Sequence, residues 1–240
     1  MVDIAALKAA NERRWAAAKL TRNFVSIAKS LVGAKSRYVA VQNRTGVPWY
    51  FIAIVHERES SQSWTASLAQ GDPWNEISVH VPAGRGPFTS WADAAVDALV
   101  RCPPFAAHNG DWSVGGLLTE FENYNGLGYA AMGDPSPYVW SGTDQYHSGK
   151  YIRDHVYDPN TIDVQPGCAG ILMAMQALDS SIHVGDPIII MPESPSIIPD
   201  HTHPSPPPPV TRPSPSVTNP APGSIGAMIA KLFASIFGRK

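Results

Sequence analysis

VPWYFIAIVHERES, residues 47–60, decides the fold. Residues 47–55 hold no charge, and their apolar side chains cover every face of a 3.6-residue turn rather than one stripe. A helix apolar all round must be surrounded by protein, so 47–60 is expected to be the core helix. Pro48 sits near its start, where a missing N–H costs little.

The core helix ends in polar residues: Glu57, Arg58, Glu59, Ser60 and Ser61. Residues two apart on a helix point about 200° apart. Glu57 and Glu59 therefore cannot share one cleft; one faces a site, the other solvent or Arg58. A carboxyl at the C-terminal end of a buried helix meets the negative end of the macrodipole and loses hydration. Both effects raise its pKa. A carboxyl kept protonated at neutral pH can protonate a leaving glycosidic oxygen. Geometry alone leaves both glutamates open.

Outward from this helix, residues 3–32 read as one helix, because neither Gly nor Pro interrupts before Gly33. A short helix is expected at 35–43. ISVHVPAGRG, 77–86, alternates β-branched residues before Pro and Gly, which predicts a strand and turn or a small hairpin. Helices are expected at 89–101, with Thr89 as cap, at 112–124 and at 168–178. Residues 125–149, rich in Gly, Ser, Pro and aromatics, read as an ordered loop. The fold class is α+β, mainly α, with a small β-hairpin.

The chain of 240 residues carries a net charge of −2, which excludes a global nucleic-acid signature. Residues 1–44 nevertheless hold nine Lys and Arg against Asp3 and Glu12, so the middle is acidic. That basic face either rests on an anionic surface or is a solvated helix face. The two cysteines, Cys102 and Cys168, lack metal spacing and read as reduced thiols. The N-terminus has an early acid and no apolar core, unlike a signal peptide. No apolar run is long enough to span a bilayer.

Four regions follow: basic N-terminal helices at 1–44, a main domain at 45–190, a linker at 191–222 and a tail at 223–240. About half of the 23 prolines fall in 192–222, which cannot pack a core and should be extended. The DHTH string at 200–203 is a weak metal motif within it. In the tail, Ser224 can cap a helix. Ile225, Met228, Ile229, Leu232, Phe233, Ile236 and Phe237 then share one face, with Lys231 opposite. Such a basic amphipathic helix is too short to span a bilayer but can lie in its interface. Anionic membrane or lipopolysaccharide is its expected partner, with docking on the domain or self-association as the alternative.

Carboxyls that could work beside such a glutamate, if the chain cleaves glycosidic bonds, are by chain order Asp72, Glu76, Glu120 and Glu122. An inverting glycosidase needs its base on the far side of the sugar, with the carboxyls roughly 6.5–9.5 Å apart. On the 77–86 segment, Ser78 and His80 alternate onto one face and could hold a water. The Arg85 fork suits a carboxylate. Tyr129, Tyr138, Trp140 and Tyr146 could stack on sugar rings.

Several short motifs in order give a resemblance. They are His56–Ser61, Gly71-Asp72-Pro73, Val81–Arg85, Phe88–Trp91, Tyr124–Tyr129 and Ser136–Thr143. Together, over roughly residues 45–180, they resemble the lysozyme-like superfamily, and within it a family of phage and prophage lysozymes related to lytic transglycosylases and goose-type lysozymes. The resemblance implies a lysozyme-like fold, with 77–86 as the hairpin forming the far wall of the cleft. It implies cleavage of the MurNAc–GlcNAc β-1,4 bond of peptidoglycan without cofactor or metal. Glu59 matches the Glu of its Glu-Ser pair and becomes the general acid, with Glu57 as supporting or spectator carboxylate. Tyr124 and Asn125 match the segment lining the sugar cleft. Gly126 stands where that segment usually has Ala, which separates this chain from the transglycosylase pattern. A cytoplasmic, monomeric endolysin released through a holin would lack a signal peptide, as would a prophage-derived bacterial enzyme. Two other readings stay open: a lytic transglycosylase using Glu59 alone, and a non-catalytic peptidoglycan-binding or membrane-active protein.

Overall fold

The computed structural model describes residues 2–153 and 156–186. The elements in chain order are α1 (Ile4–Ala17), α2 (Val25–Gly33), α3 (Lys35–Thr45), α4 (Trp49–Ser60), α5 (Trp91–Arg101), α6 (Val114–Asn125), α7 (Gly128–Met132), α8 (Pro137–Trp140), β1 (Lys150–Arg153), β2 (Val156–Asp158) and α9 (Cys168–Leu178). The fold is α+β and mainly α. The described residues hold one two-stranded antiparallel sheet, with Lys150 opposite Asp158 and Tyr151 opposite Tyr157.

Helix α4 is the axis of the core. Every residue from Trp49 to His56 is buried, and so are Arg58 and Glu59. Helices α2, α3, α6 and α9 pack around it. Gly46 ends α3 in the left-handed region at φ 72°, where a Cβ would be strained, and Pro48 then leads into α4. Phe51 stacks on Phe121 of α6 with centroids 4.6 Å apart. Helix α1 lies against α6. A Cβ on Gly115 would come within 2.7 Å of the Lys8 carbonyl oxygen, so glycine permits this approach.

The N-terminal helices belong to the same core as the rest: Phe24, Ala28, Leu31, Tyr38 and Val41 are buried in it. Several of their basic residues face acids of later segments. Lys8 pairs with Asp111, Lys35 with Asp179 and Arg44 with Asp93, at 2.7–2.8 Å. Part of the charge asymmetry is thus neutralised within the fold.

Four expectations are corrected. Residues 3–32 form two helices. Between them, Lys19 N–H donates to Asp144 Oδ1 and Thr21 N–H to Gly142 O, so this stretch pairs with residues 142–144 instead of continuing a helix. Residues 77–86 double back but contain no strand. Val79 and His80 donate their N–H groups to the Asp72 carboxylate rather than to a neighbouring strand, and Pro82 and Pro87 lack the donor. The sheet lies instead at 150–158. Ser90, not Thr89, caps α5 by accepting from Asp93 N–H. Residues 125–149 hold two short helices, α7 and α8. Among the described residues, no helix is long and apolar enough to cross a membrane. The expected linker at 191–222 and amphipathic tail at 223–240 lie outside the described residues.

Candidate functional site

The end of α4 is clamped from both sides. His56 is fully buried; its Nε2 lies 2.9 Å from Ser63 O, and its Nδ1 2.9 Å from the Tyr38 hydroxyl. Burial pushes its pKa down to about 4, so the ring is neutral. A carbonyl oxygen only accepts, so Nε2 carries the proton and Nδ1 accepts from Tyr38. Trp64 and Trp91 lie against the same ring, at 4.5 and 4.8 Å between centroids. Beyond the helix, Ser61 and Gln62 both have positive φ, 50° and 62°. Two adjacent side-chain-bearing residues in that region are costly, and such strain gathers at functional sites. Ser61 N–H donates to Glu57 O and Gln62 N–H to His56 O, which holds the turn.

Glu57 and Glu59 diverge as the helical geometry requires. Glu57 is half-buried and accepts from Gln62 Nε2 at 2.8 Å. Glu59 is 7% exposed, and its Oε1 accepts from the Tyr138 hydroxyl at 2.7 Å. Burial pushes the Glu59 carboxyl up to about 7, against the opposing pull of the Tyr138 bond and the Arg58 charge. The Arg58 guanidinium lies 4.3 Å from the Tyr138 ring centroid and donates to Pro166 O at 2.7 Å. Glu59 is thus a carboxyl poised between acid and conjugate base near neutrality, which suits proton donation.

The remaining residues fall into distinct groups. Tyr124, on α6, is part-buried and donates to Leu68 O at 3.2 Å; burial raises its pKa, and the Glu59 charge adds to that. Asn125 is buried at the end of the same helix. Asp72 is nearly buried and accepts from Val79 N–H, His80 N–H and His80 Nδ1. Those three donors occupy it as a bracket, which argues against a carboxylate free to act as base itself. Ser78 is buried; its Oγ donates to Pro82 O and accepts from Arg85 N–H, so it braces the loop. Arg85 forms a two-pronged pair with Asp97 of α5, Nε to Oδ2 at 2.8 Å and Nη2 to Oδ1. Its fork is therefore committed within the protein.

Two aromatic assignments are corrected and a third is constrained. Trp140 is fully buried, with Nε1 donating to Asn11 Oδ1, so its ring is core and not open for stacking. Tyr138 is 2% exposed and serves Glu59 rather than stacking on substrate. Tyr129 is buried beside Tyr151 and Tyr157, and its hydroxyl accepts from Tyr151 N–H. Of the other carboxyls, Glu122 is buried and pushed up to about 7 by burial, but it faces Asn11 and Arg14 on the α1 side. Cys102 and Cys168 are buried free thiols.

Sequence reasoning misses Tyr138 as the partner of Glu59 and Asp97 as the anchor of Arg85, since both contacts join residues distant in sequence or in different elements. Tyr138→Phe is expected to raise the Glu59 pKa further, because the lost hydrogen bond favours the carboxylate. An NMR titration of the Glu59 carboxyl should show its midpoint move up by about one unit in the variant.

No protein-family model matches the chain, and no curated protein or solved structure matches it either.

Proposed function

We propose that this protein is a peptidoglycan-cleaving glycosidase of endolysin type, with Glu59 as the general acid. The observation that carries the reading is the Glu59 carboxyl, buried at the C-terminal end of the core helix and held near neutrality by burial. The ordered motifs from His56 to Thr143 that resemble phage lysozymes support the choice of substrate. Glu59 protonates the glycosidic oxygen between MurNAc and GlcNAc as the bond breaks and an oxocarbenium-like centre forms at C1. Tyr138 donates to Oε1 and fixes the orientation of the carboxyl. No cofactor is needed for this chemistry. The protein would act as a monomer on the cell wall after holin-dependent release from the cytoplasm.

A lytic transglycosylase is the second reading. The occupied oxygens of Asp72 favour it, since they remove one candidate for a carboxylate base. Digestion of purified Gram-negative peptidoglycan, read by mass spectrometry, separates the two. Fragments with reducing MurNAc ends are expected of the hydrolase; ends lighter by one water mean a transglycosylase. A protein that only binds releases nothing. In the same assay the chain ending at residue 222 should cut isolated peptidoglycan like the full chain. It should also lose binding to anionic vesicles if residues 223–240 contact membrane. Unchanged vesicle binding would remove that role from the tail.

A further inference from the structure

We propose that His80 is the general base that activates the attacking water, with Asp72 as its positioning residue; this rests on the glycosidase reading above. Asp72 Oδ1 lies 2.5 Å from His80 Nδ1, while Oδ2 accepts the N–H groups of Val79 and His80, each at 2.9 Å. Burial pushes the Asp72 carboxyl up, but the bonds from His80 and Val79 outweigh it and hold the group below the usual carboxylate range. An ionised carboxylate only accepts, so the proton of a neutral His80 sits on Nδ1. Nε2 then carries the lone pair that a base requires.

The ring is placed to use it. The His80 side chain is 50% exposed, although its partner carboxylate is only 10% exposed. A buried anion therefore orients a histidine whose side chain is half open to solvent. The backbone next to Asp72 runs close to the end of α4 that bears Glu59. Asp72 follows Gly71, and a Cβ on Gly71 would lie 3.8 Å from the Glu59 carbonyl oxygen. The loop carrying His80 is braced independently. Ser78 N–H donates to Arg85 O, Arg85 N–H donates to Ser78 Oγ, and Arg85 is fixed to Asp97. Imidazole thus supplies the second group that the committed Asp72 carboxylate cannot.

The step balances. The C1–O4 bond breaks as O4 takes the Glu59 proton. The water oxygen bonds to C1 as one of its protons passes to His80 Nε2. One product gains a C1 hydroxyl and the other a 4-hydroxyl. Glu59 is left as carboxylate and His80 as imidazolium beside the Asp72 anion. Transfer of one proton from His80 to Glu59 through solvent resets the site.

The test is digestion of purified Gram-negative peptidoglycan by full-length wild type, His80→Ala, His80→Gln and Asp72→Asn, with thermal melting of each. Mass spectrometry reads hydrated and anhydro ends separately. His80→Ala is expected to lower hydrated-end formation by about 10²–10³-fold and to raise the anhydro share of what remains. His80→Gln keeps the bulk without a base and decides the matter if the alanine variant melts early. Asp72→Asn should act in the same direction, because an amide N–H facing Nδ1 forces the proton onto Nε2. Hydrated ends formed by a folded His80 variant within about threefold of the wild-type rate would overturn the proposal. So would an equal fall in both product classes, the mark of a structural role. Wild type giving only anhydro ends leaves no water to activate, and sinks the dyad while the glycosidase stands. Wild type releasing nothing removes the glycosidase reading itself, and the dyad with it.

Discussion

Glu59→Gln should abolish glycan cleavage and at the same time make the protein more stable at alkaline pH. Loss of a general acid costs about 10²–10⁴-fold in rate. The substituted amide keeps the shape and still accepts from the Tyr138 hydroxyl, so the packing survives. The stability gain follows from linkage. The folded-state pKa of Glu59, about 7, lies above its ordinary value of 4.5. Its full contribution to stability is present below about pH 4.5 and is lost as pH rises through 7. At pH 8 the ionised, buried carboxyl costs roughly 3 kcal/mol, which the amide avoids. Urea denaturation at pH 4.5 and pH 8 should show the variant's advantage only at the higher pH. The wild-type rate should fall above about pH 7 as the acid loses its proton. Glu122, also near 7, keeps part of the wild-type pH dependence in the variant.

Asp97→Ala should have the second large effect, on a loop rather than on a reacting group. Asp97 is nearly buried and holds the Arg85 fork. Removing it leaves a partly buried guanidinium without its partner. The expected cost is about 2–4 kcal/mol, below the range for fully buried pairs because the Arg85 side chain is 30% exposed. The loop from Ile77 to Gly86 carries His80, so activity should fall beyond what the loss of folded protein explains. Arg85→Met combined with Asp97→Ala should recover roughly half of the stability, since the uncompensated charge is gone. A double-mutant cycle in urea measures this, and a coupling near zero would mean that the pair does not hold the loop.

How far the sequence reaches depends on the range of each interaction. Helix α4 is legible because Trp49 to Val55 are apolar on all faces, and only a central helix can bury them. Its terminal glutamates are legible as a divergent pair for the same reason, since 3.6 residues per turn fixes their directions. Helix α9 is equally plain from CAGILMAMQAL. The break between α1 and α2 is not, because Lys19 and Thr21 are drawn into bonds with residues more than 100 positions away. Local propensity contains no trace of Asp144. The 77–86 segment misleads for a related reason. Its alternation of Ile77, Val79 and Val81 fits a strand, yet Ile77 and Val79 are exposed and the backbone donors turn to Asp72. Aromatic residues near glycines and prolines suggest sugar contacts, but Trp140 and Tyr138 are consumed by the core and by Glu59. Type and neighbourhood mark them as important without saying which neighbour they serve.

The measurement that bears most directly on the central claim compares Glu57→Gln with Glu59→Gln on the same purified peptidoglycan, counting released fragments against wild type. The two residues are two positions apart on one helix, with one half-buried on Gln62 and the other buried on Tyr138. Expected is near-wild-type release by Glu57→Gln and none by Glu59→Gln, with both variants folded. A dead Glu57→Gln beside an active Glu59→Gln would contradict the assignment of the acid and turn the working face of α4 away from Tyr138.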